Sequence, residues 1–338
     1  MAPKTKKPIA SFYLTLTPHL GEYLKQRLKS YDVRISGQHL DTDDIDRDTE
    51  ILGVFVDSPI TDALIKQLPK LKLIVTLSTG YDHIDIKAAK KRNIPVCNVP
   101  HYGEHTVAEF TIGLILALSR KLFQGVKRVK EGGFDYHDLR GFDLKGKTVG
   151  IIGAGHIGLH VMEILSGFGV HMIAYDPFPK KELAEQYHFS YVSLPTLIKN
   201  SDIISLHAPL TPSTRHIINK KVVQKMKPGV SIINTSRGGL VQSESIVWGL
   251  EQGIISGAAL DVLDGEDLLK ERTAIEYSAL SPKDMRTILM NEALIAHPNT
   301  IVTPHNAFNS QEAVQRIIDT TIDTIFAAER GTLQYDVT

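Results

Sequence analysis

Three side chains in the second half of the chain have the types that proton transfer next to a bound carboxylate requires, and each comes shortly after a predicted strand. Arg237, in Ser236-Arg237-Gly238-Gly239, comes after a predicted buried strand, Ser231 to Thr235. A permanently charged planar fork is thereby set at the C-terminal edge of a strand, where it suits a carboxylate. Glu266 follows the strand that ends at Asp261-Val262, and His305 follows Thr300 to Thr303 within Thr-Pro-His-Asn. Both are expected to project into the same cleft, which would then hold an acid, a base and a fork. Singly, each has a plainer reading. Most arginines are solvated, a Glu among Asp264, Gly265 and Asp267 is ordinary loop charge, and a lone histidine is usually structural.

A second constellation lies upstream. Gly153-Ala154-Gly155-His156-Ile157-Gly158 fits G-x-G-x-x-G, follows the predicted strand Thr148 to Ile152 and opens the helical pattern Ile157 to Phe168. In that context the first two glycines allow a tight turn and close approach of a pyrophosphate. The third lets helix and strand pack, and the helix N-terminus offers N–H donors to the anion. Asp176 closes the next strand 23 residues after Gly153. A carboxylate there accepts hydrogen bonds from both adenosine ribose hydroxyls and repels a 2′-phosphate, which favours NAD over NADP. Lys180 and Lys181 lie close enough to weaken that rejection.

His101-Tyr102-Gly103-Glu104-His105 spells H-x-x-E-H, a pattern that presents two metal ligands one helical turn apart. Pro100 and Gly103 argue that the helix begins only near Glu104, so the histidines would not share a face, and no metal is expected.

The elements that must position these residues recur along the chain. Short β-rich runs span Ile51 to Val56, Leu73 to Leu77, Ile94 to Val99, Thr148 to Ile152, Met172 to Tyr175, Ile203 to Leu206, Ser231 to Thr235 and Gly257 to Val262, with amphipathic stretches between them. This alternation predicts parallel sheets built from βα units. Pro8 to Leu16 reads as a first strand, and a final helix is expected over Gln311 to Arg330. Composition shifts at Pro100 to Gly103 and at Pro304 to Ser310 suggest two crossings between domains. Residues Asp267 to Thr300 read as the least regular stretch, with short helical turns at most.

Composition narrows the function further. Lys and Arg total 38 against 38 Asp and Glu, so no net field favours nucleic acid or an anionic membrane. The longest apolar run, Val107 to Leu118, is broken by Glu109 and Thr111 and falls short of the ~20 residues of a membrane span. Cys97 is the one cysteine, which points to a reducing, cytoplasmic setting.

From about Ile51 to His305 the chain resembles the D-isomer-specific 2-hydroxyacid dehydrogenases. The resemblance rests on Asn98-Val99-Pro100 leading to Val107-Ala108-Glu109, on Leu144 to Ile151 entering the glycine loop, on Asn234 to Gly238, on Ala259 to Val262 and on Thr303-Pro304-His305. It implies an α/β fold of two Rossmann-like doubly wound parallel-sheet domains. The NAD-binding domain (104–305) would be inserted into a discontinuous substrate-binding domain (1–103 and 306–338). It also implies that Arg237, Glu266 and His305 are the catalytic triad and that Ser78-Thr79-Gly80 holds the substrate carboxylate through backbone N–H groups. Asp261 would anchor the nicotinamide carboxamide. Further dinucleotide contacts are implied for Thr106, Val107, Gly153, Gly155, His156, Ile157, Gly158, Asp176, His207, Pro209, Thr214, Thr235, Ser236, Arg237 and His305, and substrate contacts for Tyr102 and Phe308.

Glu266 and His305 are 39 residues apart and Phe308 follows the histidine by three, features most similar to the D-lactate dehydrogenase branch and to a substrate of pyruvate size. His156 stands where many members have Arg. The expected reaction is reduction of a 2-keto acid to the D-2-hydroxy acid, with His305 as acid and base and Glu266 stabilising its imidazolium. Two alternatives stay open: a reductase for glyoxylate, hydroxypyruvate or a bulky 2-keto acid, and an NAD-sensing, co-repressor-like interaction protein on the same fold. The long apolar helix after Glu104 suggests a homodimer formed through the NAD domain.

Overall fold

Apolar runs alternating with capped helices fold into two parallel sheets, each in its own unit of the chain. In this computed structural model residues 7–37, 40, 45–270 and 280–338 are described. One unit comprises Met1–Tyr102 with Asn309–Thr338, and the other Gly103–Phe308.

The first unit runs β1 (Ile9–Tyr13), α1 (Pro18–Arg27), β2 (Asp32–Ser36), β3 (Thr49–Val54), α2 (Asp62–Gln67), β4 (Leu73–Thr76), α3 (Ile86–Lys91) and β5 (Val96–Cys97). Its helices start where side-chain oxygens replace missing backbone acceptors. Thr17, Thr61 and Asp85 accept the N–H groups of Leu20, Leu64 and Ala88. The sheet order is β2-β1-β3-β4-β5, and β1 and β4 are buried along their whole length, as strands covered on both faces must be. The C-terminal helix, Gln311–Glu329, packs on α1, where Tyr23 donates its hydroxyl to Asp319 (2.7 Å), and Tyr31, just before β2, donates to Glu329 (2.6 Å). Beside β5, Val337 N–H donates to Val96 and Asn98 N–H to Tyr335, which covers that sheet edge. Cys97 is buried there, and loss of solvation pushes its thiol up to about 12.

The second unit contains α4 (Glu104–Ser119), α5 (Leu122–Lys130), β6 (Thr148–Ile152), α6 (His156–Leu165), β7 (His171–Tyr175), α7 (Lys181–Gln186), β8 (Ser190–Tyr191), α8 (Leu194–Asn200), β9 (Ile203–Leu206), α9 (Lys220–Val223), β10 (Val230–Asn234), α10 (Ser243–Glu251), β11 (Ile255–Leu260), α11 (Asp267–Lys270), α12 (Pro282–Ala296) and β12 (Thr300–Val302). The C-terminal helix is α13. The sheet order is β12-β11-β10-β9-β6-β7-β8, doubly wound, with the chain direction across the sheet reversing between β6 and β9. Successive residues feed opposite cores. Ile232 and Ala258 pack on one face, Ile233 and Ala259 on the other, which is why these strands read as mostly apolar runs and do not alternate apolar with polar.

Three expectations are corrected. The stretch from Asp267 to Thr300 is not irregular throughout, because α12 occupies fifteen residues of it. Ser281 caps that helix and Pro282 takes its first position, but the buried stripe is Ile288, Asn291 and Leu294, and the central asparagine breaks the apolar period. Residues 271–279 of that stretch lie outside the described set. Strands β2 and β8 were not anticipated. β2 is charged and edge-placed, and β8 is two residues long. Finally, α4 buries its apolar face in the core, and the exposed apolar surface lies on α5 instead, at Leu122, Phe123, Val126 and Val129, with Phe134 and Tyr136 beyond it. Among the described residues no helix is long and apolar enough to cross a membrane.

Candidate active site

The point where the strand order reverses is built by the loops that follow β6 and β9. Gly153 has φ +98°, and a Cβ on it would lie 2.7 Å from the His207 backbone carbon, so the two loops touch where only glycine fits. A Cβ on Gly158 would collide with the Gly153 carbonyl, which fixes α6 against β6. At Gly155 the situation is opposite. A Cβ there meets nothing within 4 Å, and α6 begins with no side-chain cap. The first turn of α6 therefore presents its N–H groups, including those of His156 and Ile157, above an open surface, a cradle shaped for a pyrophosphate.

Asp176 follows β7, and its carboxylate accepts the N–H groups of Ala154 and Phe178, both at 2.9 Å. An ionised carboxylate has about four acceptor sites, so capacity for ribose hydroxyls remains. His207, after β9, approaches Ser205 Oγ at 2.8 Å through Nε2. The residue keeps part of its surface exposed, yet its Nδ1 is enclosed and has no hydrogen-bond partner among the described residues. Burial pushes this ring down to about 3. An orphaned ring nitrogen beside the glycine loop fits a site that receives a polar ligand. Thr214 closes its own loop on the Pro209 carbonyl at 2.6 Å, Ser236 donates to the Ala208 carbonyl at 2.8 Å, and Thr235 pairs with Thr111 of α4 at 2.8 Å. Thr106 and Val107 lie in the first turn of α4.

The loops after β10, β11 and β12 carry the remaining chemistry. His305 Nδ1 lies 2.7 Å from Glu266 Oε1. A carboxylate only accepts, so Nδ1 carries the proton and Nε2 is left to exchange one. Glu266 Oε2 also accepts the Leu263 N–H at 3.2 Å. Arg237 follows β10, with Nη1 donating to the Ser236 carbonyl at 2.9 Å, while Asn234 Nδ2 donates to the Arg237 carbonyl at 2.9 Å. A Cβ on Gly238 would collide with the Leu263 carbonyl, so the Arg237 loop packs directly on the loop that leads to Glu266. Phe308 meets the His305 ring edge-on, with centroids 6.4 Å apart.

His305 has φ +53°, in the left-handed region that non-glycine residues rarely adopt. Asp261 holds it there. Its carbonyl accepts the His305 N–H at 2.8 Å, and its carboxylate, 1% exposed, accepts Thr303 Oγ1 (2.5 Å) and the N–H groups of Asn306 and Ala307 (2.8 Å each). Reading the sequence missed Thr303 in this bracing role, together with His216, Asp264 and Asn291, which surround the Glu266 turn. The adjacent carboxylate in Asp264-Gly265-Glu266 gave the only signal.

Ser78, Thr79 and Gly80 belong to the first unit and form the loop after β4. Their side chains and carbonyls fix the loop: Ser78 Oγ donates to the Gly80 carbonyl (2.7 Å), Thr79 Oγ1 to the Val99 carbonyl (3.1 Å), and Asn98 Nδ2 to the Thr79 carbonyl (2.8 Å). Their three N–H groups donate to no described residue, as an anion-binding backbone nest requires. The Tyr102 carbonyl accepts Arg316 Nε at 2.8 Å. The helix begins at Glu104, after His101 and with Gly103 as its cap.

Residues 112–307 match the family described as D-isomer specific 2-hydroxyacid dehydrogenase, NAD binding domain. A 2-hydroxyacid dehydrogenase homolog of Zymomonas mobilis subsp. mobilis is 39% identical over 288 residues, 84% of this chain and 85% of the relative. An aromatic 2-oxoacid reductase of Clostridium sporogenes is 41% identical over 256 residues, 75% of this chain and 74% of the relative. The crystal structure of D-lactate dehydrogenase from Aquifex aeolicus, complexed with NAD and lactic acid, superimposes with a TM-score of 0.84 at 32% identity, covering 95% of this chain and 96% of that one.

Proposed function

The chain belongs to the D-isomer specific 2-hydroxyacid dehydrogenase family of NAD-dependent oxidoreductases, and from that premise we propose that it reduces pyruvate, or a 2-keto acid of similar size, to the D-2-hydroxy acid. The observation that carries the proposal is the His305–Glu266 pair at 2.7 Å, braced against the loop of Arg237. Pyruvate size is supported by Phe308 against the His305 ring and by the lactic acid bound in the Aquifex aeolicus enzyme. The identity to an aromatic 2-oxoacid reductase favours a bulkier 2-keto acid as the second reading.

The open surface at Gly155 with the N–H groups of His156 and Ile157 would hold the pyrophosphate, Gly153 and Gly158 shaping and packing the loop that presents them, and Asp176 would hold the adenosine ribose. Thr106, Val107, His207, Pro209, Thr214, Thr235 and Ser236 would line the dinucleotide, and Asp261 would serve the carboxamide with its remaining acceptor capacity. When bound, NADH supplies the hydride. His305 donates the proton on Nε2 to the carbonyl oxygen, a role worth roughly 10²- to 10⁴-fold. Glu266 keeps the ring in the tautomer that makes this possible and stabilises its charged form. Arg237 would bind the substrate carboxylate, and within the first unit the free N–H groups of Ser78, Thr79 and Gly80, with Tyr102 beyond them, suit such an anion.

The test is NADH oxidation against pyruvate, glyoxylate, hydroxypyruvate, phenylpyruvate and oxaloacetate. Pyruvate should give the highest kcat/KM, and His305→Ala should lose at least about 10²-fold. Phenylpyruvate in the lead would select the bulkier substrate. Measurable NADH binding with no turnover of any acid would support NAD sensing instead. The exposed apolar stripe of α5, continued by Phe134 and Tyr136, supports a homodimer in which a second copy covers it. A single buried thiol suits the reducing cytoplasm.

A further inference from the structure

Glu266 lies on the turn between β11 and α11, and its position depends on what fixes that turn. Asp264 is gripped from two sides. Its Oδ2 lies 2.7 Å from His216 Nε2, with Arg215 Nη1 3.7 Å from Oδ1. Its carbonyl accepts Asn291 Nδ2 at 2.9 Å. Asn291 is wholly buried on α12, and its Oδ1 accepts Ser243 Oγ of α10 at 2.7 Å. His216 is itself held by the other catalytic loop. It has φ +51°, its N–H donates to the Gly239 carbonyl at 2.8 Å, and Gly239 stands two residues after Arg237. The main chain of His216 thus bonds to the Arg237 loop, while its side chain bonds to the loop of Glu266.

We propose that His216 is a positioning residue for the reaction, holding Glu266 against His305 by fixing Asp264, with Asn291 as the second anchor. The proposal rests on the catalytic reading of Glu266 and His305 above. A hydrogen bond to a part-buried carboxylate is among the stronger ones, and Asp264 is separated from Glu266 by one residue, so release of Asp264 lets the turn relax. The Glu266–His305 pair tolerates little of this, since misplacement by ~1 Å costs about 10²-fold in rate. The same geometry gives α12 a purpose: it delivers a buried amide to the back of the catalytic turn.

The experiment compares His216→Ala and His216→Gln in the full chain, using pyruvate reduction and NADH binding by fluorescence, each also in a Glu266→Ala background. Gln keeps an amide donor near the position of Nε2. His216→Ala should lower kcat/KM by about 10²-fold and leave the NADH Kd within about 2-fold, while His216→Gln should stay within about 5-fold of the wild type. In the Glu266→Ala background, His216→Ala should cost no more than about 3-fold, because nothing remains to be positioned. A loss of about 10²-fold in both backgrounds, or none in either, overturns the proposal. Should His216→Ala fail to fold, Asp264→Ala carries the same comparison. Full activity of Glu266→Ala alone would instead overturn the catalytic reading beneath it.

Discussion

Acid should destabilise this protein through one buried ring, and the size of the effect follows from the site. His207 ordinarily titrates at 6.5, but burial holds its folded-state value at about 3. Between these values the unfolded chain binds a proton that the folded chain refuses. Stability from this group is therefore complete above about pH 6.5 and is lost as pH falls toward 3. Each pH unit inside that window costs about 1.4 kcal/mol, so going from pH 7.5 to pH 5 removes about 2 kcal/mol. His207→Gln replaces the ring with an amide of similar reach that does not titrate. Urea unfolding of both proteins at pH 7.5 and 5 isolates the term, because every other titrating group is common to the two. The wild type should lose about 2 kcal/mol more than the variant, a difference in midpoint shift of somewhat under 1 M at an m-value of about 2 to 3 kcal/mol/M. Equal losses would show that the folded protein accepts a proton on this ring at pH 5 and would refute the burial argument.

The glycine loop offers a matched pair of variants. Gly155→Ala should fold with an unchanged Tm yet bind NADH at least about 10-fold more weakly in a fluorescence titration, because its Cβ meets no protein atom and enters the cradle. Gly158→Ala should lower stability by about 1 to 3 kcal/mol in chemical denaturation, because its Cβ strikes the Gly153 carbonyl. Thr303→Val removes one of the three donors to the Asp261 carboxylate and should cost about 1.5 to 3 kcal/mol of stability, with a fall in kcat that stopped-flow reduction would register. The proposed homodimer requires that Phe123→Asp with Val126→Asp halve the mass seen by light scattering while leaving each subunit folded, since both side chains are more than half exposed; a mass unchanged by the pair would refute it.

Much of this architecture is visible in the residues. The strand pattern is legible because β9 and β10 face apolar cores on both sides, and two-sided burial writes Ile-rich runs into the chain, broken only by the small polar residues Ser205 and Ser231 before Asn234 ends β10. Edge strands lack that signature. β2 alternates charge with apolar residues and β8 is too short to show a period. The glycine loop and the Arg, Glu and His positions are legible because each follows a strand end, where βα topology gathers functional groups. His216, Asn291 and Thr303 are not, since each acts through long-range hydrogen bonds that no local spacing encodes. α12 illustrates the same limit. The asparagine that breaks its apolar stripe is the residue its buried face exists to present.

The left-handed backbone at His305 bears on how this site would change over evolutionary time. At that φ a histidine is a poorer conformational choice than glycine or asparagine, so selection for a stable fold alone would steadily replace it. On the catalytic role proposed for it, what opposes the drift is the imidazole, and Asp261 absorbs the conformational cost by bonding the surrounding backbone. A descendant of this chain that no longer needed a proton at this position would be expected to turn position 305 into Gly or Asn before it altered the sheets. The residue found there is thus a marker of whether the fold is still being kept for its chemistry.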